Sequence, residues 1–281
     1  MTNTDTKKNY DQQTIDSFDQ EWQKFDQKKL SEYEIHTLFD KYFNIFPWSQ
    51  ISDNSIGFDM GCGSGRWAKI VAPKVGHLNC IDPAAGAIEV TKKALSQNKN
   101  VTFLNASIDN VSIRENSQDF GYSLGVLHHI PDTPKALEAC VNLLKPNAPF
   151  LLYLYYNFDN RSFLYKFLWR CSEVLRAIIS KLPNVLKPIL TDAIAIFIYW
   201  PLSRFSKLIS CIGLNPSMLP LSFYKDSSFY TLRTDSRDRF GTPLEQRFSK
   251  NDILKMMHAA GLENVKFSEH EPYWVAVGFK K

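Results

Sequence analysis

The sequence predicts an α/β protein: a doubly wound sheet of seven strands, five parallel plus a C-terminal antiparallel pair, carrying a mostly helical insert. Three observations predict this. Short apolar runs alternate with helical patterns between residues 50 and 157, which argues for parallel strands with helices on both faces. The first run leads into a glycine-rich turn, FDMGCGSG at 58–65, directly before a helical pattern. The chain closes on two apolar runs, VKFSEHE and YWVAVGFKK, joined by a short turn at Glu271–Pro272.

Taken in order, residues 1–13 are polar and read as disordered. From Ile15 to Trp48 the pattern is helical, with Phe18, Trp22, Phe25, Leu30, Tyr33, Leu38, Tyr42 and Phe46 at three- and four-residue steps until Pro47 breaks it. SIGFDM is the first strand and GRWAKIVAPKV the helix after it. HLNCIDP, VTFLNAS, DFGYSLGVLHHI and PFLLYLYYN are the next four strands, with helices over GAIEVTKKALSQN and TPKALEACVNLLKP. After Asn157 the alternation stops. Residues 158–235 hold three apolar helical stretches punctuated by Pro183, Pro188, Pro201, Pro216 and Pro220. Alternation resumes at FSKNDILKMMHAAGLENV, where Ser249 and Asp252 have capping-box spacing and Gly261 ends the helix. The expected division is a helical lid (1–48), a ligand-binding core (49–157), a helical insert (158–240) and the C-terminal part of the core (241–281).

Composition narrows the function. A net charge of +4 over 281 residues is too mild to predict a nucleic-acid partner. The five cysteines form no CxxC pair and no zinc-ligand spacing, so no metal is expected and a reducing compartment is. The N-terminal stretch has no apolar h-region, which points to the cytoplasm. The most apolar window, 188–202, is interrupted by Asp192 and is too short for the roughly 20 residues of a membrane-spanning helix.

A strand, a glycine turn and a helix N-terminus together make a nucleotide-binding crevice, because glycine allows positive φ and close ligand approach. The spacing is Gly61, Gly63, Gly65, with Arg66 where a dinucleotide fingerprint needs glycine. That disfavours NAD. Asp82 ends the second strand, where a carboxylate accepts hydrogen bonds from ribose hydroxyls; the bland alternative is a helix cap. Ser107 and Ile108 end the third strand and suit an adenine edge and face.

FDMGCGSG, CIDPA, FLNASIDNV and GYSLGVLHHIPD, taken in order, resemble the successive motifs of class I S-adenosylmethionine-dependent methyltransferases. The resemblance covers residues 50–157 and 240–281 and implies a Rossmann-like core with S-adenosylmethionine as cofactor. By match, Asp59, Gly61, Cys62, Gly63 and Gly65 take the methionine part, Asp82 and Pro83 the ribose, and Ser107 and Ile108 the adenine. Leu124, Gly125 and Val126 line the methionine side. Ser107 stands where the family often has Asp, so that contact is neutral and weaker.

For catalysis the candidates are His128, His129 and Tyr156, the histidines reading equally as scaffold. Phe18 and Trp22 lie four apart on the N-terminal helix and are expected to fold over the cofactor. Tyr155 is placed with the acceptor. Residues 158–240 carry twelve Lys/Arg against six Asp/Glu. Arg161, Arg233, Arg237 and Arg239 are therefore expected to grip an anionic acceptor, with FYTLRTDSRDRFGTPLEQRF forming the acceptor loop. The alternative is that these charges pair with Asp235 and Asp238. The insert is expected to cap the site, buried against the sheet. The predicted activity is methylation of a small molecule such as a sugar or sugar acid, on oxygen. The rival readings are a lipid or quinone-like acceptor at a membrane surface, which is less favoured, and a non-catalytic cofactor-binding protein.

Overall fold

A computed structural model describes residues 8–25, 30–183 and 185–281. Part of the polar N-terminal reading, residues 1–7, lies outside the described residues, as do residues 26–29 within the first helical reading.

That helical reading resolves into two helices, α1 (Gln12–Lys24) and α2 (Glu32–Phe43). Asp11 caps the first by accepting from the Thr14 amide, and Ser31 caps the second by accepting from the Glu34 amide. Two capped starts make two helices where periodicity alone suggests one.

The core then alternates: β1 (Ile56–Met60), α3 (Ala68–Val71), β2 (His77–Asp82), α4 (Ala85–Ala94), β3 (Val101–Asn105), β4 (Phe120–Leu124), α5 (Thr133–Leu143) and β5 (Pro149–Tyr153). The insert supplies α6 (Phe163–Ile179), α7 (Leu186–Ile194), a π-helical turn (Ala195–Tyr199), α8 (Trp200–Cys211) and α9 (Phe229–Gly241). The chain returns with α10 (Lys250–Ala259), β6 (Leu262–Phe267) and β7 (Val275–Lys280). The sheet order is β3-β2-β1-β4-β5-β7-β6. The first five strands pair in parallel, and β7 pairs antiparallel with both β5 and β6. The order reverses between β2–β1 and β4, which opens a crevice at the carboxyl ends of β1 and β4.

Side chains alternate across the strands and feed two cores. Phe120, Tyr122 and Leu151 pack on one face with α2 and α3, while Phe58, Phe150 and Leu152 pack on the other with α5 and α10. The capping box at Ser249 and Asp252 forms as predicted.

Two readings of the insert need correction. FYTLRTDSRDRFG is helix α9, not a loop, because Ser228 caps it by accepting from the Thr231 amide. The insert is also not buried against the sheet through its apolar sides. The buried positions of α8 are Ser203 and Ser206, and the one buried residue of α6 is Ile179.

Candidate active site

β1 delivers the glycine turn to the crevice. Gly61, Gly63 and Gly65 have φ of 80°, 54° and 76°, in the left-handed region. A Cβ on Gly61 would lie 2.4 Å from the methyls of Val126. One on Gly63 would lie 3.0 Å from the indole of Trp22, so that ring rests directly on the loop. Asp82 fixes the loop from β2: one carboxylate oxygen accepts from the Gly63 amide and the other from the Ala84 amide, each at 2.9 Å. Helix α1 is pinned above, where Asp19 accepts from the Gly86 amide at 2.5 Å.

Below α1 lies a cavity of about 710 Å³. Its lining includes Trp22, Gly61, Cys62, Gly63, Asp82 and Pro83, with Ser107, Ile108, Leu124, Gly125 and Val126. The same cavity also reaches His129, Tyr155, Tyr156, Arg161 and Arg239. Asp59, Gly65, His128, Arg233 and Arg237 do not line it. Asp59 lies beneath the loop on β1, with Oδ2 unpartnered and the Tyr122 hydroxyl beside it. Burial pushes its carboxyl up to about 8. Burial also raises Asp82, to about 6, against the pull of its two backbone donors.

The two histidines separate by environment. His128 is fully buried, its Nδ1 accepts from the Tyr155 amide at 3.4 Å, and its ring stacks on Tyr155 at 3.9 Å. Burial holds it well below the usual histidine range, so it stays neutral. The expectation of a catalytic His128 is therefore corrected: it is a packed scaffold residue. His129 faces the cavity. Its Nδ1 lies 2.6 Å from the Leu244 carbonyl, which only accepts, so Nδ1 carries a proton and, in the neutral imidazole, Nε2 holds the lone pair. Nε2 lies 3.8 Å from Asp238 Oδ1 on α9, and the Tyr155 hydroxyl donates to the same carboxylate. Tyr156 is poorly suited as a base, because burial raises its hydroxyl far above its ordinary range and that oxygen already accepts from Arg161.

Residues 58–152, about a third of the chain, match the family model described as a methyltransferase domain. The chain carries a class I S-adenosylmethionine-dependent methyltransferase domain. Its cofactor is S-adenosylmethionine. The residues present fit that group: a loop that only glycine can form, an acid at the end of β2, and the buried, unpartnered Ser64 hydroxyl at the same turn.

Relatives of this methyltransferase domain include a "Ubiquinone biosynthesis O-methyltransferase" of Saccharophagus degradans, 26% identical over 36% of this chain and 43% of that protein. Another is a "2-phytyl-1,4-naphtoquinone methyltransferase" of Nostoc, 27% identical over 41% and 53%. The chain thus spans about half the length of the curated relatives it matches. Among solved structures, the methyltransferase crystallised with the Trm112 activator of Haloferax volcanii is 12% identical, with a TM-score of 0.50 over 93% of this chain and 96% of that one. That likeness concerns the fold.

The predicted arginine grip on an anion is not assembled. Arg161 donates to Tyr156, to the Ser217 carbonyl and to Glu271. Arg233 lies outside the cavity in a two-pronged pair with Asp192, at 3.0 and 2.6 Å. Arg237 is buried away from it. Arg239 lines the cavity but pairs with Glu173 at 2.6 Å and Glu245 at 2.7 Å. Burial opposes ionisation of Glu245, but Arg247 and Arg239 outweigh it and hold that carboxyl below the usual range. The pairing with Asp235 and Asp238 that the sequence suggested does not form either. Those two acids face the cavity, Asp235 against the Tyr224 hydroxyl and Asp238 against Tyr155.

The sequence reading missed Glu21, Arg66, Asp235 and Asp238 as cavity groups. Once α9 is a helix, spacing sorts them. Asp235, Asp238 and Arg239 are at i, i+3 and i+4 on the inner face, while Arg233 and Arg237 share another. Burial raises Asp235 to about 6 and also raises Glu21, whose carboxyl stands near Asp238.

Proposed function

We propose that this chain transfers a methyl group from S-adenosylmethionine to a hydroxyl oxygen on an aromatic, quinone-like acceptor. The observation that carries the reading is the aromatic lining of the cavity. Tyr153, Tyr155, Tyr199, Phe223, Tyr224 and Phe240 wall it, and its arginines are largely committed to carboxylates. Such walls favour a flat apolar ring over a sugar acid. The O-methyltransferase and naphthoquinone methyltransferase relatives support the same direction.

Bound S-adenosylmethionine supplies a methyl group on a sulfonium, already poised for displacement. Asp82 would hold the ribose hydroxyls, Ser107 and Ile108 the adenine, and Gly61 and Gly63 would let the methionine part approach the backbone. Arg66 lines the same wall and offers a cation to the methionine carboxylate. Asp59 acts on the methionine amine through the turn. Trp22 covers the loop and keeps water out. His129 Nε2 would accept the proton of the acceptor hydroxyl, and Asp238 would stabilise the imidazolium that results. Positioning supplies much of the acceleration, of the order of 7–11 kcal/mol for well-oriented reactants.

The test is transfer of labelled methyl to a panel of catechols and hydroquinones, with sugar acids alongside. Turnover on the phenols, lost at least a hundredfold in His129→Gln with S-adenosylhomocysteine affinity unchanged, supports the reading. Turnover on sugar acids alone overturns it.

A further inference from the structure

The insert is amphipathic in the inverted sense. On α6 the inward side carries Tyr165, Trp169, Ser172 and Arg176, while Phe163, Phe167, Val174 and Ile178 face solvent. On α8 the buried positions are Ser203 and Ser206, while Phe205 and Leu208, and Ile212 just past its end, are exposed. Phe163 is 86% exposed, Phe197 75% and Ile189 64%. These residues make contiguous helical stripes, whereas soluble monomers rarely expose apolar surface of that extent. Among the described residues no helix is long and apolar enough to cross a membrane.

We infer that the outer face of α6, α7 and α8 lies on an anionic lipid bilayer and that the acceptor enters the cavity from the bilayer through this face. The second half rests on the proposed function. Two further observations select lipid as the occupant. The first is charge. Residues 163–214 carry seven Lys/Arg against two Asp/Glu. The two acids are neutralised within the fold, Glu173 by Arg176 and Arg239, and Asp192 by Arg233. Lys166, Arg170 and Lys181 enter no ion pair among the described residues. An apolar face fringed by unpaired cations matches the interface of an anionic membrane. The second is the position of the opening. Leu168, Leu175, Ile198 and Leu202 line the cavity and are at the same time solvent-exposed. The cavity therefore has an apolar rim within this face. A second copy of the chain seated there would cover that rim, whereas a bilayer would feed it.

The experiment is co-sedimentation of the full chain with vesicles of phosphatidylglycerol and phosphatidylethanolamine, and with phosphatidylcholine alone, in the absence of acceptor. Binding to the anionic vesicles is expected, reduced at least tenfold in Phe167→Glu/Phe205→Glu with S-adenosylhomocysteine affinity unchanged. Should that variant fail to fold, Lys166→Glu/Arg170→Glu/Lys181→Glu decides: it loses the preference for anionic vesicles. No sedimentation with either vesicle overturns the inference. So does a dimer in sedimentation velocity that Phe167→Glu/Phe205→Glu converts to monomer, which makes the face a contact between copies. Vesicle binding without turnover on phenols overturns the acceptor reading alone. Turnover on soluble phenols without vesicle binding overturns the membrane face alone.

Discussion

His129 on the sheet core and Asp238 on the insert face each other across the cavity, with Nε2 and Oδ1 3.8 Å apart. The two residues are 109 positions apart in the chain, and neither makes the site alone. The Leu244 carbonyl fixes the imidazole tautomer, and Tyr155 fixes the carboxylate. His129→Gln is expected to lower kcat by about 10²–10⁴-fold. Asp238→Asn should cost less, because it removes the stabiliser and leaves the base. Single-turnover kinetics with saturating cofactor measure both, and equal losses would mean that the pair acts as one unit.

Asp82 makes cofactor affinity pH-dependent. Its carboxyl is pushed up to about 6 by burial. The ionised form accepts ribose hydroxyls, and protonation removes an acceptor. Affinity for S-adenosylhomocysteine should hold above pH 7 and fall by up to about tenfold per unit below pH 6. Titration calorimetry across pH 5–8 reads this directly, and Asp82→Asn should flatten the profile at a weaker affinity.

Asp59 acts on stability in the opposite sense to an ordinary paired carboxylate. Its folded pKa of about 8 lies above the roughly 3.9 of an unfolded Asp. Between those values the folded chain keeps a proton that the unfolded chain has released. The stability that this proton confers is full below about pH 4 and is lost as pH rises to 8. Asp59→Asn should raise unfolding stability at pH 8 by on the order of a few kcal/mol, read as a higher Tm, while weakening cofactor binding. Thermal melts of the ligand-free protein at pH 5 and 8 test the slope.

Trp22 rests on Gly63, and its removal should expose the loop without unfolding the core. Trp22→Ala is expected to weaken S-adenosylhomocysteine binding about tenfold, the effect of roughly 1.4 kcal/mol. An unchanged affinity would assign α1 to the scaffold.

Arg233 is half of a partly exposed pair with Asp192 outside the cavity. Arg233→Ala should leave the acceptor KM unchanged and cost about 1 kcal/mol or less in stability. A raised KM would return Arg233 to the acceptor site.

Local patterns in the sequence determined a large part of this protein. Alternating strand and helix patterns set the sheet, and the glycine spacing with Asp82 marked the cofactor end, because a turn needing positive φ and a strand-end acid are short-range signals. Capping residues placed the start of α10. The sequence did not decide which way the insert faces. Helical spacing groups Phe163, Phe167 and Ile178 on one stripe, but periodicity is silent on whether a stripe points to the core or to solvent. Nor did it pair His129 with Asp238, or Arg239 with Glu245 instead of an anion. Those partners come from distant segments, and charge composition counts ions without saying which ones are already neutralised. Only the packing of α9 against α1, α6 and α7 settled which acids enter the cavity and which arginines are taken.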